Sequence, residues 1–313
     1  MTRARVLRRE LRKVKWFKVT TLAENFAYGR ALGQWGLSFL VEYRDSMGTL
    51  HKFVSDTGSD KRSLLYNIKQ LKADLKGMEA IFLSHGHADH TASTVELLRL
   101  AQRDVKVVIH PYLFNKRYYM DKNGKKHSVR ALKGEQPDDI TAAGGQLVQS
   151  KESIEFLPGV ATTGQVERMT DFEVIREPRQ GPKFKLVVDG SPLDDTIPDD
   201  QSIFMNVEGV GPLVITGCAH SGLINTLQKV SRLGGFQTIY GVIGGTHLVG
   251  RKNEYIDRTI AEAKKYGLKL MSPCHCTGFN AASRIAQAFP EAFVFNYSGR
   301  IIESGKEASP RIV

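Results

Sequence analysis

The chain has 313 residues, 41% hydrophobic and 25% charged, with 44 Lys+Arg against 33 Asp+Glu and a formal charge of +11. That apolar fraction excludes disorder as the dominant state. A mean hydropathy of −0.27, with no stretch near the ~18 apolar residues needed to span a bilayer, excludes a membrane-spanning helix. Three cysteines, Cys218, Cys274 and Cys276, are too few and too clustered for a disulfide scaffold and point to a reducing, cytoplasmic setting.

From the N-terminus, residues 1–18 hold eight basic residues and one acid, +7 of the +11. Residues 1–15 are therefore expected to be a basic arm on a folded body over 16–313. Arg8-Arg9 lacks a following apolar run, so a secretory or twin-arginine signal is not expected. A transit-like peptide, an arm for RNA or an anionic surface, and a solubilising extension are the readings left for it. The body alternates apolar runs with helical patterns, which is an α/β class. Residues 36–43 and 50–56 read as strands about a turn, and the spacing of Leu64, Leu65, Ile68, Leu71 and Leu75 predicts an amphipathic helix over 62–75. A strand at 80–84, a helix over 91–103 and a strand at 105–110 follow. Residues 111–200, rich in Gly, Pro, Lys and Asp, are expected to be an irregular insertion, a lid over a site. Strands near 184–188, 202–208, 212–216, 238–243, 268–272 and 292–296, with helices near 222–233, 254–266 and 278–288, complete the chain.

Nine histidines are present, and three of them fall with an aspartate in His85-Gly-His87-Ala-Asp89-His90. Neutral imidazoles and a carboxylate on one loop suit Zn²⁺, Mn²⁺ or Fe²⁺. Gly86 and Ala88 keep the loop small enough for two pairs of ligands to converge. The plain alternative is a polar loop whose histidines cap the next helix, and so dense a cluster argues against it. The pattern is echoed: FLSHGHADH and VITGCAHSG are each a strand that brings histidine to its carboxyl end, where open α/β sheets place their chemistry.

The run Ser84 to His90 resembles the HxHxDH signature of the metallo-β-lactamase superfamily. The resemblance implies a four-layer αβ/βα sandwich, here with an inserted cap segment, and a binuclear metal site. Ser55-Asp56-Thr57-Gly58 is similar to that superfamily's strand-end Asp-Thr-Gly, which implies that Asp56 orients the histidine loop by hydrogen bonds. WGLSFLVE (35–42), TGQVER (163–168), TDFE (170–173), DDQ (199–201), TGCAHSG (216–222), GGTH (244–247) and PCHCTG (273–278) narrow the resemblance. They resemble the branch typified by the archaeal 7,8-dihydropterin-6-methyl-4-(β-D-ribofuranosyl)aminobenzene 5′-phosphate synthase, over about residues 18–300.

Most superfamily hydrolases supply a further histidine midway, then a bridging aspartate, then a last histidine. Between His127 and His220 this chain has no histidine, and Gly-Cys218-Ala-His220 stands where many members show Gly-Asp. The resemblance thus implies two divalent ions, zinc first with Mn or Fe as alternatives. One would be held by His85, His87 and His220, the other by Asp89, His90 and His275. No bridging carboxylate is evident, and Asp199, Asp200 and Cys218 are the candidates to replace it; Cys218 is otherwise expected, with Asp56, to support the ligands from behind. Cys274 and Cys276 read as buried thiols.

Water activated on the metals is the expected nucleophile and Asp89 the expected proton acceptor. His247 is expected either to face the substrate as acid or hydrogen-bond donor or to be a satisfied loop histidine. Arg168 would bind an anionic group or pair with Glu167 or Glu173. His110 reads as a packing residue, and His51 and His127 as solvated. Three functions follow, in this order. The first is a metal-dependent hydrolase of a small anionic ester, phosphoester or lactone-like. The second is a pterin-type transferase releasing diphosphate, with Trp35, Phe114, Tyr118 and Tyr119 as candidates for an aromatic slot. The third is a nucleic-acid-processing enzyme using the basic arm. A small anionic substrate is the expected partner, and a homo-oligomer stays open.

Overall fold

The computed structural model describes residues 5–6, 11–128, 135–174 and 183–304. One sheet runs, edge to edge, through Gly145–Gln149, Val105–Ile109, Ala80–Phe82, Leu50–Ser55, Ser38–Arg44, Trp16–Ala23 and Ile301–Ser304. A second runs through Arg5–Val6, Ile154–Leu157, Val160–Thr162, Ile203–Val207, Gly211–Thr216, Gly241–Gly245 and Leu270–Cys274, with Lys13–Val14 also paired to Ile203–Val207. Period-two alternation gives each sheet two apolar faces. Phe17, Val41, Phe53 and Phe82 meet Phe156, Met205, Ile215 and Ile243 between the sheets. The neighbouring residues of the same strands face outward: Leu40, Val54 and Ile81 toward Lys61–Gln70 and Thr94–Ala101, and Phe204, Val214 and Val242 toward Leu223–Gly234, Asn253–Lys264 and Phe279–Ala288. The result is the four-layer αβ/βα sandwich.

Several elements differ from expectation. The helix predicted to 75 ends at Gln70, because Lys72 takes φ +52°, although Leu75 still packs in the core. The helix predicted over 91–103 is two pieces, Ala88–Thr91 and Thr94–Ala101. Residues 292–296 form no strand: Met271 N–H bonds Ala292 O at 2.8 Å and Val294 N–H bonds Met271 O at 2.9 Å, and the pairing stops there. Within the expected insertion, Pro137–Ala142, Gly145–Gln149, Ile154–Leu157 and Val160–Thr162 belong to the sandwich itself. Strands of three to five residues carry too few repeats to show a period. Among the described residues of that segment, Arg117–Met120, Lys126–Ser128, Lys183–Val188 and Ser191–Asp194 stand apart, as a small four-stranded sheet. Near the N-terminus, Leu11 and Val14 are buried and Trp16–Ala23 is a full strand; residues 1–4 and 7–10 of the basic arm lie outside the described residues. No helix among the described residues is long and apolar enough to cross a membrane.

Candidate metal centre

Four strand ends converge on one place. Ala80–Phe82 leads into His85, His87, Asp89 and His90; Gly211–Thr216 into Cys218 and His220; Gly241–Gly245 into Thr246 and His247; and Leu270–Cys274 into His275. The last three strands are parallel neighbours, so their carboxyl ends lie side by side. Asp56, Ala219, His247 and His275 all take left-handed backbone, with φ of 57°, 53°, 50° and 52°. For residues other than glycine that conformation is costly, and it persists where surrounding contacts fix it, as at functional sites. Gly217 is a close approach: a Cβ there would lie 2.1 Å from Ser84 Oγ and 2.9 Å from Asp56 Oδ2.

The structure brings together the two donor sets expected from the sequence. His85 Nε2 is 3.0 Å from His87 Nδ1 and 3.2 Å from His220 Nε2. His275 Nε2 is 3.2 Å from His90 Nε2 and 3.3 Å from Asp89 Oδ2. The hydrogen bonds behind them fix which ring nitrogen faces inward. Asp56 Oδ2 accepts from His90 Nδ1 at 2.7 Å and from Ser84 Oγ at 2.8 Å, and Oδ1 accepts from Ser84 N at 2.8 Å. With its proton on Asp56, Ser84 Oγ accepts from His85 Nδ1 at 2.9 Å. Asn25 Nδ2 donates to His275 O, so its Oδ1 accepts from His275 Nδ1 at 3.0 Å. His85, His90 and His275 therefore all turn lone pairs at Nε2 toward the site. Lone pairs this close repel unless a cation sits among them. Donors ~2.0–2.1 Å from a tetrahedral zinc stand about 3.3 Å apart, close to the spacings here. The residues fit a divalent metal.

The charge states agree. Burial lowers the pKa of His85 and His220 well below the ordinary imidazole value and takes His87 to about 4, leaving all three neutral. Burial also works against a charge on His90, but the Asp56 carboxylate outweighs it and raises His90 to about 9, so a proton on Nε2 is what a divalent ion would displace there to reach the lone pair. Asp89 is held well below the usual carboxylate range; burial opposes this, and the His275 hydrogen bond with the charge of His90 prevails.

Two glutamates support the ligands from behind: Glu24 was not singled out in the sequence, and Glu173 was weighed there only as a partner for Arg168. Buried Glu24 accepts the His275 N–H at 2.6 Å. Glu173 accepts the N–H groups of Ile224 and Asn225 at 2.9 and 2.8 Å, satisfying the start of the helix Leu223–Gly234 directly behind His220. Short polar residues in loops carry no periodic signal, so these supports are invisible before the fold is known. Arg168, expected at the substrate, directs Nη2 to the carbonyls of Thr196 and His220, at 3.1 and 2.9 Å, while Glu167 pairs with Lys229 and Arg232. His247 lies with its ring centroid 4.1 Å from that of His220, and its Nδ1 is buried without a partner among the described residues. Asp199 accepts from Gly86 N at 2.7 Å and pairs with Arg117; Asp200 accepts from Ser221 N at 2.9 Å. His51, expected in solvent, is buried between Asp45 and Glu79 at 3.3 and 2.8 Å. A cavity of about 400 Å³ adjoins the histidine loop at Gly86 and Ala88, with Phe114, Lys116, Tyr118, Lys126 and Glu135 on its other walls. Tyr119 instead stacks on His127, and Trp35 lies 58% exposed beside His275.

The family model described as the Metallo-beta-lactamase superfamily matches residues 37–230, a span that holds the whole histidine loop and His220. The chain belongs to the metallo-beta-lactamase superfamily. Within it, the chain is 32% identical over 295 residues to the 7,8-dihydropterin-6-methyl-4-(beta-D-ribofuranosyl)-aminobenzene-5'-phosphate synthase of Methanocaldococcus jannaschii, covering 93% of this chain and 98% of that one. It is 28% identical over 284 residues to an uncharacterized protein of the same archaeon, covering 91% and 99%. Among solved structures, a metal-dependent hydrolase of the beta-lactamase superfamily superposes with a TM-score of 0.72 at 22% identity, over 93% of this chain and 100% of that one, which shows the shared fold.

Proposed function

We propose that this superfamily member is a metal-dependent hydrolase of a small anionic phosphoester, with zinc as the first candidate ion at each donor set. The observation that carries this reading is the pair of donor sets set beside a cavity that bears Lys116 and Lys126. Divalent ions held there lower the pKa of water and polarise a phosphoryl oxygen. His85, His87 and His220 would hold one ion, and Asp89, His90 and His275 the other. Asp89, kept ionised by its histidine neighbours, takes the proton from the attacking water. His247, with a buried and unpartnered Nδ1, donates to the substrate oxygen that carries developing charge. Lys116 and Lys126 draw the phosphate into the cavity, with Lys126 Nζ 3.9 Å from the Tyr118 ring centroid. Arg168 is a positioning residue: it fixes the His220 carbonyl and so the imidazole.

A second reading is favoured by the 32% identity to the dihydropterin synthase across nearly the full length of both chains. In it the same residues assist departure of diphosphate from a pterin methylene carbon, the amine nitrogen of an aminobenzene attacks that carbon and gives up one proton to solvent, and Phe114 and Tyr118 flank the flat heterocycle. One assay separates the two. The metal-loaded protein is offered phosphoesters, lactones and a pterin diphosphate, each with and without an aminobenzene acceptor. Release of inorganic phosphate or an alcohol without the acceptor supports the hydrolase. Diphosphate release that requires the acceptor replaces it with the transferase, and no turnover on any of them removes both.

A further inference from the structure

We infer that Cys218 is a shared thiolate ligand, its sulfur joining the two metal ions where other arrangements would use a bridging carboxylate. The inference rests on the reading of the two donor sets as metal sites and concerns what lies between them. Cys218 Sγ is 3.2 Å from His90 Nε2 and lies within 4.8 Å of a donor atom on each of His85, His90, His220 and His275. Two of those residues belong to one set and two to the other. With metal–sulfur bonds of ~2.3 Å and metal–nitrogen bonds of ~2.0–2.1 Å, sulfur and nitrogen on one tetrahedral ion stand about 3.5 Å apart. Cys218 meets that spacing at His90 and lies within 4.8 Å of donors from both sets, which places its sulfur between them.

The backbone is built for this position. Ala219, in left-handed conformation at φ 53°, lets Cys218 and His220 both turn into the site. Gly217 lets the strand end pass against Ser84 and Asp56. Among the described residues neither competing acid falls in a donor group with the histidines: Asp199 is committed to Gly86 N and Arg117, and Asp200 bonds Ser221 N through Oδ2 while its buried Oδ1 has no partner. Binding breaks the Cys218 S–H bond, forms two sulfur–metal bonds and releases one proton to solvent, with no change in oxidation state.

Cobalt(II) substitution in thiol-free buffer reads this directly. Visible d–d absorption reports uptake, and a near-ultraviolet sulfur-to-cobalt band reports thiolate ligation. The expected result is a band that grows through both equivalents of cobalt, is lost in Cys218→Ser, and persists in Cys274→Ser and Cys276→Ser, with circular dichroism confirming that each variant is folded. Magnetic coupling between the two ions, seen by EPR in the parent and lost in Cys218→Ser, marks the bridge. Cobalt uptake with no thiolate band, a band that saturates at the first equivalent, or a band lost in Cys276→Ser overturns the bridge and leaves the metal sites standing. Failure to take up cobalt at all overturns both.

Discussion

Asp56 touches no reacting atom, yet it sets the direction of two imidazoles. It accepts from His90 directly and from His85 through Ser84, and so decides that both present Nε2 lone pairs inward. Removing such an outer partner costs roughly 10–100-fold in metal affinity or activity. Asp56→Asn should lose metal to a competing chelator within that range while remaining folded; unchanged affinity would contradict the orienting role. Glu135, on the cavity wall, makes a pH prediction. Burial, assisted by Glu96 and Asp139, raises its carboxyl to about 7 against the Val95 N–H bond that favours the charged form. The group is therefore neutral below that pH and anionic above it, so an anionic substrate binds less well as pH rises through 7. A penalty on the order of 1 kcal/mol, several-fold in KM, is expected for one partly screened charge. Glu135→Gln should flatten the rise, and a KM profile identical to the parent would place the substrate elsewhere.

The helix Leu223–Gly234 starts on Gly222, which offers no capping side chain, and Glu173 takes over that role from a distant segment. Glu173→Ala strands two buried N–H groups, and at ~1–3 kcal/mol each the loss should be about 2–6 kcal/mol of unfolding free energy, read by urea denaturation. A loss under ~0.5 kcal/mol, typical of a neutral surface change, would contradict this account of the cap. This contact also shows the limit of reading the chain unaided. The TDFE motif was visible as a resemblance, but nothing local links residue 173 to residues 224 and 225; only the fold does. The histidine loop was legible because its ligand types crowd six residues, and the long strands and helices because their periods repeat. Short strands such as Val160–Thr162 carry no such signal because three residues show no period, and the supports Glu24 and Asn25 carry none because their partner His275 lies some 250 residues away.

For the molecule as a whole, the charge and the site separate. Residues 1–18 carry +7 of the +11, while the site is assembled from strand ends of the sandwich. Deleting residues 1–10 should leave kcat/KM on a small phosphoester within about twofold and its salt dependence unchanged; a lost salt slope, near −0.9 per phosphate contact on duplex nucleic acid, would instead favour the nucleic-acid reading. The proposed chemistry requires that six residues form two metal sets. Elemental analysis of the purified protein beside His220→Ala tests it most directly. About two divalent ions per chain are expected in the parent and about one in the variant, because the first ion, left with His85, His87 and a shared Cys218, is weakened enough to be lost on purification, while the second set keeps Asp89, His90 and His275. Metal content that is unaltered in His220→Ala, or below one ion in the parent after metal-replete purification, would contradict it.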